Sequence, residues 1–341
     1  MTHYRIALLG FGNVGQAFAR LLQRKENLLL QDFNLSFSIT GIATAHHGIA
    51  IDSKGIDIDR TLQLITQRSD LALLSKHPPL KDMAEFVRNC DADVLFENTP
   101  VNYINGQPAV DYLRTALQSG MHAITANKGP VVHAYQELRQ LAENHRRMFF
   151  FESAVMDGAP IFSMFRESLP AAELHRFSGV LNSTTNLILT RMESGESLDQ
   201  AIAYAQSIGI AETDPSGDID GWDAAVKVAA LVTVLMGIPL KPTQVERTGI
   251  RDLTLDDVQG AAQHGKRWKL VCTAERRGDG VTAHVHPELV GNDSALYGVN
   301  GTSSIVTFET DVLPQLSIVE GNPGPETTAY GLLVDFINAT R

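Results

Sequence analysis

Along the first half of the chain, short continuous apolar runs alternate with segments whose apolar positions recur every three to four residues. Residues 4–9 (Y-R-I-A-L-L), 36–43, 93–98, 122–126 and 148–152 read as strands. Residues 16–23, with Phe18, Leu21 and Leu22 on one face, read as an amphipathic helix, as do 106–118 and 135–144. Strand and helix in turn predict a parallel sheet, whose ligands bind beyond the C-terminal ends of the strands. Topology alone therefore sets Asn98-Thr99-Pro100 and Asn127-Lys128-Gly129 on the ligand side.

After Asp157-Gly158-Ala159-Pro160 the rhythm changes to a strand (176–181), two helices (184–193 and 198–208), an apolar helix, and short strand-like runs between Val245 and Val319. The runs 266–274, 281–285 and 305–310 predict one open sheet with a helical face. The expected class is α/β: a Rossmann-type parallel-sheet domain over residues 1–155, completed by a helix within 321–341, plus an α+β substrate domain over 156–320. A sheet covered on one face predicts a homodimer through the second domain.

The apolar helix, Trp222 to Leu240, is interrupted by two charges only, Asp223 and Lys227. Four residues apart, they share one helix face among Ala224, Val226, Val228, Ala230 and Leu231, all of which favour burial. Exposed pairs of this spacing are common and contribute only about 0.3–0.5 kcal/mol, whereas desolvating both ions costs several kcal/mol each. A charged pair in such surroundings points to a chemical site. The uncharged run Val228–Leu240 is too short to span a bilayer, which needs about 20 apolar residues.

Gly10-Phe11-Gly12-Asn13-Val14-Gly15 is a G-x-G-x-x-G between the first strand and first helix. The first glycine permits the tight turn, the second admits a pyrophosphate to the backbone, and the third lets helix and strand pack closely. The helix start adds N–H donors and the positive end of a dipole.

The formal net charge of −11, with 28 scattered basic residues, argues against nucleic-acid binding. Cys90 and Cys272 are far apart and outside any C-x-x-C spacing, so both read as core residues. The N-terminus runs straight into a strand without a secretory pattern, and a cytoplasmic protein is expected.

Residues 205–227, A-Q-S-I-G-I-A-E-T-D-P-S-G-D-I-D-G-W-D-A-A-V-K, resemble the signature of homoserine dehydrogenases at every spaced position. Gly179-Val-Leu-Asn-Ser183-Thr184-Thr-Asn186, the Ala126-Asn127-Lys128 tip and Glu97-Asn98-Thr99-Pro100 are similar to that family too. The resemblance implies reversible NAD(P)-dependent interconversion of L-homoserine and L-aspartate 4-semialdehyde. It implies Lys227, held by Asp223, as the group facing the developing alkoxide, with Lys128 as the second catalytic lysine. Glu212, Asp218, Ser183 and Thr184 are implied for the substrate. The cofactor set is Gly10, Gly12, Asn13, Val14, Gly15, Thr44, Lys54, Asn98, Thr99, Pro100, Lys128, Gly324 and Glu326.

The family's glycine-rich turn, where carbonyls hold a monovalent cation such as sodium, corresponds to Glu152, Val155, Asp157 and Ala159. Ser183 stands where relatives often have Gly, Ile210 where they have Tyr, and Asp157 where they have a small residue. These departures keep open a related dehydrogenase for another small amino-acid aldehyde or alcohol. A catalytically silent dinucleotide sensor would need none of Glu212, Asp218, Asp223 and Lys227. The second strand ends in Ala43-Thr44-Ala45-His46-His47 without the acid that would take an NAD ribose. With His46, His47 and Lys54 nearby in sequence, NADP(H) is the expected preference and NAD(H) the alternative. Many family members carry an additional C-terminal regulatory domain, and the short form without it is expected here.

Overall fold

The chain opens with β1 (Thr2–Leu9), passes through the glycine loop into α1 (Asn13–Phe33), and continues as β2 (Leu35–Ala43), β3 (Ile49–Ile51), α2 (Ile58–Thr66), α3 (Met83–Asn89), β4 (Val94–Glu97), α4 (Ala109–Gln118), β5 (His122–Thr125), α5 (Lys128–His133), α6 (Tyr135–His145) and β6 (Phe149–Phe150). The computed structural model describes all 341 residues, which divide into two units: 1–160 with 324–341, and 161–323.

In the first unit the sheet order is β3-β2-β1-β4-β5-β6, parallel except for β3, which turns back antiparallel on β2 as an edge. Ile6 to Leu9 are all buried, because helices cover both faces of the central strand. Ile6 and Leu8 join a core with Phe18, Leu21 and Leu22 of α1. Ala7 and Leu9 join a separate core with Phe86 and Met121. α1 outruns the expected 16–23, extending to Phe33. Gln23, Arg24, Lys25 and Glu26 are good helix formers that carry it past the apolar stripe, Leu29 anchors its far end, and Asn34 terminates it in the left-handed region at φ 55°.

The second unit contains β7 (Leu174–Val180), α7 (Ser183–Glu193), α8 (Leu198–Ser207), α9 (Ser216–Ile219), α10 (Trp222–Leu231), β8 (Glu246–Arg247), α11 (Leu255–Gln263), β9 (Arg267–Arg277), β10 (Gly280–Val290), β11 (Ser304–Thr310) and β12 (Leu316–Glu320). Its sheet runs β12-β11-β7-β9-β10-β8 and is antiparallel apart from the short β8. Phe177 and Phe308 pack against each other, and Phe165 meets the ring of Phe308 edge-on at 5.1 Å. The expected single helix 222–240 is interrupted: α10 stops at Leu231, a π-helical turn spans Val232–Met236, and Gly237 ends it at φ 70°. Gly237 supplies the left-handed residue that closes a helix, and Pro239 has no N–H with which to extend one.

α12 (Pro325–Thr340) belongs to the first unit, where Ala329, Leu332, Leu333 and Phe336 complete the α1 core. No helix is long and apolar enough to cross a membrane. Both cysteines are buried and unpaired.

Candidate active site

In the first unit the site is made largely of backbone. Gly10 adopts φ 92°, and a Cβ there would lie 2.5 Å from the carbonyl oxygen of Asn98; one at Gly15 would lie 2.5 Å from that of Gly10. A Cβ at Gly12 would meet nothing within 4 Å. So two of the glycines are required by the packing of the protein itself, whereas the middle one opens onto space. That space faces the start of α1, whose first turn carries no acidic residue to repel an anion.

The neighbouring strand ends are tied by one buried carboxylate. Glu97, the last residue of β4, is fully buried and accepts from the Thr99 amide at 2.8 Å, from the Thr99 hydroxyl, and from the Thr125 hydroxyl at 2.7 Å. Burial pushes its carboxyl above the usual carboxylate range, against the pull of those hydrogen bonds. The Thr125 hydroxyl also accepts from the Asn127 amide at 2.9 Å, and the Asn127 side chain donates to the carbonyl of Thr99 at 3.2 Å. Its oxygen caps α5 through the Gly129 amide at 2.9 Å, which sets half-buried Lys128 at the first helical position. Between these tips the side-chain oxygen and nitrogen of Asn98 are buried without a protein partner. Buried polar atoms are normally satisfied, so this amide awaits a ligand's donor and acceptor. An open glycine, an acid-free helix start and an orphaned amide together fit a dinucleotide.

In the second unit the site is made of side chains around Asn182. This residue caps α7: its oxygen accepts from the Thr185 amide at 2.8 Å and the Thr185 hydroxyl at 2.9 Å. With the oxygen committed to the helix, the amide nitrogen faces the acids, donating to Asp218 at 2.6 Å and Asp223 at 3.0 Å. Burial and the neighbouring Asp223 push the Asp218 carboxyl above its ordinary value, opposed by Asn182, Lys227 and Thr184. Lys227 Nζ lies 3.2 Å from Asp223 and donates to the carbonyl of Leu181 at 2.6 Å, and both side chains of the pair are less than 15% exposed. The pair read from the helix pattern is therefore buried, and β7 ends beside it.

Thr184 is buried and reaches the carbonyl of Ile210 at 3.4 Å, while the Ser183 and Ser304 hydroxyls lie 3.3 Å apart. Glu212 sits on the exposed loop before α9, its carbonyl and that of Thr213 held by the Gln206 side chain at 3.1 and 3.2 Å. Asp214 caps the Ser216 amide at 3.0 Å, the loop-forming role its Asp-Pro context favours.

Of the remaining expected cofactor residues, one lies away from the strand ends. β3 runs antiparallel to β2, so the exposed Lys54 is carried back alongside Ser38–Thr40 and away from the C-terminal rim; nearness in sequence was misleading there. The Thr44 hydroxyl accepts from the His47 amide at 2.7 Å, closing the turn after β2. Gly324 caps α12, and the exposed Glu326 pairs with Arg24 of α1 at 3.4 Å. In the 152–159 turn, Glu152, Val155 and Ala159 are buried, and the Asp157 carboxylate accepts from the Thr327 hydroxyl at 2.9 Å. No group of three or more His, Cys, Asp and Glu is arranged to hold a metal ion.

The sequence reading overlooked Asn182 and Glu97 as site builders. The only local signal for Asn182 was an Asn just before a helix start, which reads as a cap and says nothing of the acids 36 and 41 residues away.

A phosphate-ready glycine loop on a Rossmann-type sheet, joined in one chain to a unit that buries a lysine against carboxylates, defines an NAD(P)-dependent oxidoreductase acting on a CH–OH group. The family model for "Homoserine dehydrogenase, NAD binding domain" matches residues 10–152, and that for "Homoserine dehydrogenase" matches 160–337. The chain is 32% identical over 339 residues to an NAD(+)-dependent homoserine dehydrogenase of Pseudomonas canavaninivorans, covering 99% of this chain and 96% of that one. It is 33% identical over 334 residues to a homoserine dehydrogenase of Methanocaldococcus jannaschii, covering 98% and 97%. Among solved structures, a hyperthermophilic archaeal homoserine dehydrogenase mutant in complex with NADPH superposes with a TM-score of 0.84 at 29% identity, covering 99% of this chain and 98% of that one. The chain belongs to the homoserine dehydrogenase family, and its reaction is the reversible NAD(P)-dependent reduction of L-aspartate 4-semialdehyde to L-homoserine, a step of amino-acid biosynthesis from aspartate.

Proposed function

We propose that Lys227 is the catalytic residue of this reaction, stabilising and protonating the oxygen that develops negative charge at the aldehyde carbon. The observation that carries this is the lysine's fixed surroundings: Asp223 and the Leu181 carbonyl occupy two directions of the ammonium, leaving a third N–H for a substrate oxygen. Positive charge already in place costs no reorganisation as the alkoxide forms. The bound nicotinamide supplies the hydride. Asp223 keeps the ammonium oriented, and Lys128 serves as a second, positioning cation. Asp218 and Glu212 take the substrate ammonium, with Thr184 and the Ser183 amide on its polar end. Gly10, Gly12, Asn13, Val14, Gly15, Asn98, Thr99, Pro100, Gly324 and Glu326 hold the dinucleotide.

Three finer readings belong with this one. NADP(H) is preferred over NAD(H), because residues 44–48 after β2 include no acid of the kind that takes an NAD ribose, and His46 is exposed there. The protein is a homodimer through the second unit's sheet, supported by Val319 of β12 being 63% exposed and Leu289 of β10 47% exposed. A monovalent cation is held at the 152–159 turn by Glu152, Val155, Asp157 and Ala159.

The test is NADPH oxidation with aspartate 4-semialdehyde by wild type and Lys227→Met. Turnover is expected to fall roughly 10²–10⁴-fold, the usual contribution of a positioned acid, with NADPH binding retained. Equal turnover in the two proteins overturns the assignment. Comparing kcat/KM for NADPH and NADH tests the cofactor preference, and a higher value for NADH refutes it.

A further inference from the structure

Lys269 is fully buried in β9, yet the reaction as assigned makes no use of it. Its amine donates to the Asn186 side-chain oxygen at 2.9 Å and to the carbonyl of Val299 at 2.5 Å. Asn186 is also buried, and its nitrogen donates to the carbonyls of Gly301 at 3.1 Å and Ser303 at 3.0 Å. One turn further along α7, the Thr190 hydroxyl accepts from the Gly301 amide at 3.0 Å. Another turn on, Glu193 meets Arg267 of β9 at 3.6 Å. Asn186, Thr190 and Glu193 thus form an i, i+4, i+7 polar stripe turned inward, where a helix ordinarily places apolar residues. Burying a lysine is costly unless its donors are used. Burial, opposed by Glu193 and reinforced by Arg267, pushes the Lys269 pKa down to about 8, and the Asn186 oxygen and Val299 carbonyl take two of its N–H donors.

We infer that Lys269 is a positioning residue of the substrate site: through Asn186 it locks α7 and the 299–303 loop onto β9, holding Asn182, Ser183 and Thr184 in register with Asp218 and Asp223. The inference rests on the substrate-site assignment above. Helices pass axial displacement along their length, and a misplacement of about 1 Å at a reacting centre can cost about 10²-fold. The apolar Lys269→Met fills the same space but leaves the Asn186 oxygen and Val299 carbonyl without their donor.

The experiment compares Lys269→Met, Asn186→Leu, the double variant and Lys227→Ala in the full-length protein, reading kcat and KM for aspartate 4-semialdehyde, Kd for NADPH and the thermal midpoint. Lys269→Met is expected to lower kcat/KM for the aldehyde by about 10- to 100-fold with a raised KM, while Kd for NADPH stays within about twofold. The double variant should lose no more than the worse single one, because both break one connection. A lowered midpoint with unchanged kcat and KM in the folded enzyme overturns the inference, as do losses that multiply. Should Lys269→Met not fold, Thr190→Val reads the same network: a KM raised severalfold supports the inference and an unchanged KM overturns it. Lys227→Ala separates the two levels. If that variant turns over normally the site assignment itself fails, whereas a crippled Lys227→Ala beside an unaltered Lys269→Met refutes only the role of Lys269.

Discussion

The two units solve recognition in different materials. The first presents backbone: a glycine with nothing above it, a helix start, and strand ends tied by Glu97. The second presents side chains, each held by another, so that Asn182 holds Asp218 and Asp223, Asp223 holds Lys227, and Gln206 holds the loop of Glu212. A dinucleotide's phosphates need donors at fixed spacing, which a main chain supplies without any particular side chain. An amino-acid aldehyde needs charges of both signs close together, which only a polar network can keep from collapsing or swelling.

The contrast breaks most visibly at Gly12. Gly12→Val should leave the thermal midpoint nearly unchanged, since the added Cβ meets no protein atom. NADPH binding should weaken about 10²–10⁴-fold, the loss of two charge-assisted hydrogen bonds at about 1.5–3 kcal/mol each. Titration of NADPH fluorescence checks this, and unaltered affinity would mean that the phosphates lie elsewhere.

Asp218→Asn tests the opposite material. Its kcat/KM for aspartate 4-semialdehyde should drop about 10- to 100-fold by loss of a charged hydrogen bond to the substrate. The protein should become more stable by about 0.5–2 kcal/mol at neutral pH, as sites strained for function do. The sign follows from the raised Asp218 carboxyl: its protonated form is favoured in the fold, so that stabilisation is present below the ordinary Asp value and is lost as pH rises through the folded value. The gain from Asp218→Asn should accordingly vanish in acid; urea melts across pH 3 to 8 would show it, and a gain independent of pH would contradict the account.

Gly10→Ala should behave unlike Gly12→Val. With φ 92° and the Asn98 carbonyl 2.5 Å from the new Cβ, it should destabilise the first unit by about 2–4 kcal/mol. Equal stability in calorimetry would show that the loop can relax. The smallest effect is expected from Gln206→Ala, which frees the Glu212 and Thr213 carbonyls on an exposed loop. A KM about three- to tenfold higher with kcat nearly constant is the expected result, corresponding to about 1 kcal/mol.

The same difference in material explains what the sequence disclosed. The glycine loop was legible because steric demands on the backbone dictate residue identity at fixed spacing, and Asp223–Lys227 because two charges broke an apolar helix. Asn182 and Lys269 were hidden, since their partners lie 36 and 83 residues away and nothing local marks them. Lys54 is near the end of the second strand in sequence but not in space, because the antiparallel edge strand β3 reverses the chain before it. The apolar helix was overextended because periodicity cannot register a π-turn; Gly237 and Pro239 were the available signs.

Catalysis turns on the ammonium of Lys227, and restoring that group from solution tests its role most directly. Lys227→Ala should turn over NADPH and aspartate 4-semialdehyde at least about 100-fold more slowly than wild type. Added methylammonium or ethylammonium should recover activity in a saturable manner, whereas methanol or ethanol should not. Turnover of Lys227→Ala close to wild type without any added amine would contradict the central claim.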